Sequence, residues 1–201
     1  MAKQLYMIAG CNGAGKTTAS YSILPHALCI KEFVNADEIA RGLSPLNPDS
    51  MAILAGRLML QRISELLAAE KSFAIETTLA TRSHINLVHR AQAKGYDVHL
   101  LFFFLKGIAL AKKRVAERVA HGGHDIAWEV IERRYHAGLY NLCHLFMNEV
   151  DRWIIYDNSL QKCRVIAHGG KDVPLVVLDK VTFEVIQNYE RTGVSRPLSS
   201  D

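Results

Sequence analysis

The sequence predicts an α/β fold in three layers, α/β/α, around a mostly parallel central sheet. Three observations predict it. Apolar runs of strand length alternate with stretches of helical period along most of the 201 residues, as βαβ units require. The first such run passes directly into a glycine-rich loop. Val98–Leu105 is nearly all apolar, as a strand buried on both faces of a parallel sheet must be.

Taken in order, Leu5–Ala9 is a first strand, short and apolar, ending on Gly10. A helix begins near Lys16 and stops before Pro25, which cannot continue it. Glu32–Asn35 reads as a second strand. Asn47-Pro48-Asp49 supplies a helix start with proline in the first turn; that helix runs to about Glu70 and offers Ile53, Leu54, Leu58, Ile63, Leu66 and Leu67 for burial. Phe73–Glu76 is a third strand, Ser83–Lys94 a helix stopped by Gly95, and Val98–Leu105 the strand whose Phe102-Phe103-Phe104 belongs to the core. Ala109–Ala120 and Ile126–Met147 read as two helices separated by His121-Gly122-Gly123-His124. Short strands at Trp153–Tyr156, Arg164–Ala167 and Leu175–Leu178 precede a closing helix near Thr182–Tyr189. Residues 1–192 are expected to form a single domain, with 106–134 as a lid-like helical segment within it and 193–201 as a frayed tail.

Composition narrows the function classes. Hydrophobic residues make up 49% and charged residues 22%, which sets aside wholesale disorder, collagen-like and coiled-coil chains. The net charge of +4 suits an anionic small molecule better than a nucleic-acid surface. No apolar run approaches the roughly 20 residues that cross a bilayer, and the N-terminus lacks the pattern of a secretory signal. Cys11, Cys29, Cys143 and Cys163 show no CxxC spacing and read as reduced thiols, so a cytoplasmic protein is expected.

The strongest motif is Gly10-Cys11-Asn12-Gly13-Ala14-Gly15-Lys16-Thr17, followed by Thr18. It fits G-x-x-x-x-G-K-[ST] between a strand and a helix. Glycines let backbone N–H groups turn toward phosphate oxygens, and the helix N-terminus adds partial positive charge. Lys16 would reach the β- and γ-phosphates of ATP and the Thr17 hydroxyl would bind Mg²⁺. The Asn-Lys-x-Asp string of guanine-nucleotide switches is absent, as are the Leu-Ser-Gly-Gly-Gln of transport ATPases and an apolar strand ending in Asp-Glu. A small P-loop kinase fold with a helical lid remains.

In such a sheet the ligand lies at the carboxyl ends of the strands. Asp37 follows the second strand and Glu76 ends the third. A carboxylate across the cleft from Lys16 could orient and deprotonate an attacking hydroxyl; helix capping and a buried salt bridge are the plainer roles for the two. Residues 106–134 carry seven basic side chains against four acidic ones, most of the net charge. Glu129 precedes Arg133 at ion-pair spacing, Arg134 sits nearer a buried face, and a mobile pair of helices hinged at Gly122-Gly123 could bring arginines over transferring phosphates. His121 and His124 lack a carboxylate or thiol partner for zinc, and one of them is expected to cap the second helix. Asp157-Asn158-Ser159 is a polar turn where this fold class often holds a nucleobase.

Gly10–Thr18, the stretch Phe33-Val34-Asn35-Ala36-Asp37-Glu38-Ile39-Ala40-Arg41-Gly42-Leu43-Ser44-Pro45, Glu76-Thr77-Thr78-Leu79, Arg114 through Gly122-Gly123-His124, Ile131 to Tyr135, and Asp157-Asn158-Ser159 together resemble the zeta toxin family of P-loop kinases. The resemblance implies an ATP- and Mg²⁺-dependent kinase acting on the 3′-hydroxyl of UDP-N-acetylglucosamine, and a small antitoxin as partner. It makes Lys16 the γ-phosphate lysine, Asp37 the general base, Glu76 (with Thr77) a substrate-binding group, and Arg118 and Arg134 the lid arginines. A nucleic-acid end kinase and an ATP-binding regulatory module without transfer are the alternatives; nucleic acid is not the expected partner.

Overall fold

The computed structural model describes residues 3–123, 125–160 and 162–192; the expected tail and His124 lie outside the described residues. The fold is a three-layer α/β/α sandwich on a seven-stranded sheet of order β2-β3-β1-β4-β5-β6-β7. The strands are β1 (Lys3–Ala9), β2 (Glu32–Val34), β3 (Phe73–Thr77), β4 (Tyr96–Phe104), β5 (Arg152–Asp157), β6 (Arg164–Gly170) and β7 (Val176–Val177). Pairing is parallel from β2 to β5 and antiparallel for β6 and β7. Central β1 and β4 are apolar on both faces because helices cover both: Leu5, Met7, Ile8, Leu100 and Phe102–Phe104 are buried.

The helices are α1 (Lys16–His26), α2 (Ala36–Leu43), α3 (Ala52–Ala68), α4 (His84–Ala93), α5 (Ile108–Ala120), α6 (Trp128–Asn141), the single turn α7 (Met147–Glu149) and α8 (Lys180–Thr192). Several depart from their sequence-based limits. Helix α1 continues through Pro25, because a proline in the last turn forfeits only one hydrogen bond, to the carbonyl of solvent-exposed Tyr21. Asn47-Pro48-Asp49 opens a 3₁₀ turn, Pro48–Met51, and α3 starts only at Ala52. Its buried stripe is Ala55, Met59, Ile63, Leu66 and Leu67, whereas Ile53 and Leu54 face solvent; a stripe in phase with Ile63 and Leu67 passes through 55 and 59, not 53 and 54. The expected helix 126–147 is α6 followed by a π turn, Leu142–Phe146. There Asn141 Nδ2 donates to the Leu79 carbonyl at 2.7 Å, tying α6 to the loop after β3. Among the described residues, no helix is long and apolar enough to cross a membrane.

Parallel register sets the site. Ile8 lies beside Glu76 and Ala9 beside Thr77 on one side, and Ala9 lies beside Phe102 on the other, so the glycine loop emerges between the ends of β3 and β4.

Candidate functional site

The carboxyl ends of β1, β2 and β3 open into a cleft of about 510 Å³, within the size range of small-molecule sites. Asn12, Gly13, Gly15, Lys16, Thr17 and Thr18 form one wall. Gly10 and Ala14 lie below it: Ala14 is fully buried and its carbonyl accepts from Asn158 Nδ2 at 2.8 Å. Lys16 is buried, donates to the Cys11 carbonyl at 3.0 Å, and lies 3.7 Å from Glu76 Oε1.

Glu76 is the hub of this wall. The Thr17 hydroxyl lies 3.1 and 2.9 Å from its two carboxylate oxygens, and Asn35 Nδ2 donates to Oε2 at 2.9 Å. Burial pushes the Glu76 carboxyl up; the Lys16 charge and the Thr17 hydrogen bond pull it down, and the charges of Asp37 and Glu38 raise it again, with a net upward shift. Thr17 Oγ1 and a Glu76 oxygen sit at the spacing of adjacent vertices of an octahedron with ~2.1 Å bonds. This all-oxygen pair suits Mg²⁺, which takes few protein ligands and completes its shell with water and substrate phosphates. Among the described residues no group of three His, Cys, Asp or Glu side chains is placed to hold a metal.

Asp37 stands in the first turn of α2 and lines the cleft. It is exposed, and among the described residues no hydrogen bond or ion pair engages its carboxylate. Helix α2 carries its signals in Asp37 and Glu38 in the first turn and Arg41 in the last, and the capping role weighed for Asp37 belongs to Asn35, the N-cap. Asn35, expected to end the strand before it, lies just past β2. Thr77 is not among the cleft-lining residues; its hydroxyl accepts from the Leu79 N–H at 3.0 Å, stabilising a turn in which Leu79 takes φ +55°.

The basic segment divides. Arg118 and Arg134 line the cleft, and Arg134 Nη1 donates to Asn12 Oδ1 at 3.3 Å. Arg114 also borders it, but its guanidinium donates to the carbonyls of Asn158 (2.8 Å) and Ser159 (3.1 Å), so it straps α5 to the 157–159 turn. Lys112 pairs with Glu132 and Lys113 with Glu117, as on an ordinary solvated face. The Gly122-Gly123 pair, which separates α5 from α6 as expected, is the stop of α5. Gly123 N–H bonds the Arg118 carbonyl and Gly122 N–H that of Val119, with Gly122 at φ +80°, a Schellman cap on α5.

A second cavity of about 590 Å³ lies across the glycine loop, sharing Gly15 and Thr18 with the cleft and bounded by Ile23, Phe103, Tyr156 and Asn158. Beneath the loop, burial pushes the Cys11 thiol up to about 11 against the pull of Lys16. Cys11 should therefore resist alkylation at pH 8, where the reactive thiolate is scarce, while exposed Cys29 reacts. Mass spectrometry after iodoacetamide treatment checks this, and preferential adduct formation at Cys11 would contradict it.

Residues 5–138 match the AAA domain family, two thirds of the chain. The chain belongs to that AAA domain family. An uncharacterized protein of Haemophilus influenzae is 30% identical to this AAA-domain chain over 135 residues, 67% of this chain and 94% of that protein. Among solved structures, the AvrRxo1-ORF1:-ORF2 complex with ATP superposes with TM-score 0.74 at 14% identity, over 100% of this chain and 66% of that one, so the AAA-domain chain spans under two thirds of that relative's length. A structure from the PezAT chromosomal toxin-antitoxin system of Streptococcus pneumoniae gives 0.66 at 16% identity over 97% and 81%. A gluconokinase from Sinorhizobium meliloti 1021 gives 0.51 at 14% over 79% and 84%. At these identities the likeness is one of fold: the AAA-domain chain has a P-loop kinase-like architecture, shared with a gluconokinase and with a protein from a toxin-antitoxin system.

Proposed function

We propose that this protein is an ATP- and Mg²⁺-dependent kinase that transfers the γ-phosphate of ATP to a hydroxyl of a small acceptor, a nucleotide-sugar such as UDP-N-acetylglucosamine. The observation that carries the reading is the unengaged Asp37 carboxylate in the same cleft as the buried Lys16–Thr17–Glu76 cluster. The loop N–H groups and Lys16 bind the phosphates, and the apolar cavity beside Gly15 and Thr18 takes the base, with Asn158 at its edge. Thr17 and Glu76 would hold Mg²⁺, which when bound neutralises charge on the transferring phosphates.

Asp37 accepts the proton of the acceptor hydroxyl as its oxygen forms a bond to the γ-phosphorus. The bond from that phosphorus to the β,γ-bridging oxygen breaks, and ADP leaves carrying the electron pair. Arg118 and Arg134 face the three equatorial oxygens, where charge spreads in the transition state. Arg114 sets the lid by holding α5 to the nucleobase turn. The fold shared with a protein from a toxin-antitoxin system supports a small antitoxin as partner, and residues 1–192 act as one catalytic domain.

Incubation with γ-labelled ATP, Mg²⁺ and a panel of UDP-sugars, polyols, nucleosides and oligonucleotides tests the reading. Label should appear on a small hydroxyl acceptor and depend on Mg²⁺. Transfer confined to oligonucleotide ends would make the protein a nucleic-acid kinase, and no acceptor-dependent transfer at all would leave an ATP-binding module; either overturns it.

A further inference from the structure

Asn35 is the residue through which the two acidic groups of the site meet. It is 6% exposed at the junction of β2 and α2, and both ends of its amide are used. Oδ1 accepts from the N–H of Asp37 at 2.8 Å and of Glu38 at 3.4 Å, the N-cap pattern that satisfies two orphan donors of α2. Nδ2 donates to Glu76 Oε2 at 2.9 Å, across to β3. The amide admits only this orientation, since a flip would face oxygen to carboxylate and NH₂ to backbone N–H.

We propose that Asn35 is a positioning residue for phosphoryl transfer: a single side chain that fixes the helix start bearing Asp37 relative to the carboxylate of Glu76, and so keeps the base in register with the Thr17–Glu76 cation pair. The inference rests on the kinase reading for its catalytic meaning, but the linkage itself concerns the protein's own residues. Its chemical content is that capping alone does not explain asparagine here. Serine and aspartate cap helices about as well. Serine is too short to cap α2 and also reach Glu76. Aspartate would cap but set a carboxylate against a carboxylate. Of the good caps, only asparagine accepts from α2 while donating to β3.

The remaining partners of Glu76 make the role specific. Thr17 and Lys16 approach it from the glycine loop, and among the described residues Asn35 is the hydrogen-bond partner that approaches from the base-bearing side of the cleft. Loss of that bond leaves Glu76 free to follow Lys16 away from α2, while Asp37 stays on an intact helix.

Asn35→Ser, Asn35→Asp and Asn35→Ala separate the two ends of the amide. Melting temperature reads the cap: serine, which loses only the bond to Glu76, should fall least, alanine, which loses the cap as well, should fall further, and aspartate should fall because it sets a second carboxylate against buried Glu76. Mg²⁺ half-saturation of fluorescent ATP-analogue binding reads the link to Glu76: the serine and alanine variants, which add no charge beside the cation site, should need about tenfold more Mg²⁺ or worse, the size of one hydrogen bond to a charged group. Turnover should fall by a similar factor in all three, with the KM for the acceptor little changed. If serine keeps the wild-type Mg²⁺ response and turnover while melting above the alanine variant, Asn35 is a helix cap and nothing more, and the proposal fails. The Mg²⁺ titration needs no acceptor, so it decides the linkage even if the wild type transfers phosphate to nothing, a result that would overturn the kinase reading instead.

Discussion

Replacing Asp37 by asparagine should leave ATP binding nearly unchanged and lower phosphoryl transfer by about 10²- to 10⁴-fold, the contribution of a positioned general base. The substitution is nearly isosteric and spares the fold. Asp37 is exposed, and its backbone N–H, not its side chain, makes the bond to Asn35 Oδ1. Removing one negative charge from the first turn of α2 costs roughly 0.3–1 kcal/mol through the helix dipole, too little to unfold the chain. The phosphate-binding wall, Lys16 with Thr17 and Glu76, makes no hydrogen bond or ion pair with Asp37. The loss should therefore fall on kcat, with the KM for ATP unmoved. Steady-state kinetics on Asp37→Asn beside a nucleotide-binding titration gives the answer; turnover within a few-fold of wild type would mean that another group takes the hydroxyl proton.

What could be seen in advance divides along physical lines. The glycine loop, the strand before it and the helix after it are encoded in adjacent residues, and so are the buried triple Phe102-Phe103-Phe104 and the cleft positions of Lys16 and Asp37; each rests on a local pattern of glycine, apolar run or charge. Glu76 was found as the acid ending an apolar strand, but its partners were not. Its contact with Thr17 spans 59 residues and that with Asn35 spans 41, and parallel register alone brings Ile8 beside Glu76. No periodicity reports a register set between strands so far apart in the chain.

The same reasoning covers the arginines. Arg114 and Arg118 stand four apart on α5 and both border the cleft, yet Arg114 is drawn to the 157–159 turn, 44 residues on, by a contact that no helical spacing announces. Helix α2 announces itself only weakly in sequence. A helix of eight residues has little stability of its own, and its cap, Asn35, reads equally well as the last residue of β2. Thr77 illustrates the reverse: a polar residue beside a predicted site acid, drawn away by the backbone need of a strained turn at Leu79.

Gly10→Ala should destabilise the protein by ~3–5 kcal/mol, combining the cost of a disallowed backbone region with that of overpacking. Gly10 takes φ +139°, a conformation that L side chains rarely adopt. A Cβ there would lie 2.4 Å from the Phe103 carbonyl oxygen and 3.3 Å from the Ala14 side chain. The obstructing atom is backbone in the central strand, and Phe103 is held in the ladder that pairs β4 with β5, opposite Tyr156 and one residue past the last β4 residue paired with β1, so it cannot move aside without disturbing the sheet. Gly122 provides the control. It also has positive φ, +80°, but a Cβ at that position meets nothing within 4 Å, so Gly122→Ala carries only the backbone cost of roughly 1–2 kcal/mol. For a chain of this length each kcal/mol moves the melting temperature by about 2–4 °C. Thermal denaturation should thus place Gly10→Ala about 10 °C or more below wild type and Gly122→Ala only a few degrees below. Equal shifts for the two variants would show that the glycine loop is not pressed against β4 as the geometry requires. The tight approach is what places the loop's N–H groups at the mouth of the sheet, so Gly10→Ala should also weaken nucleotide binding at temperatures where the variant remains folded.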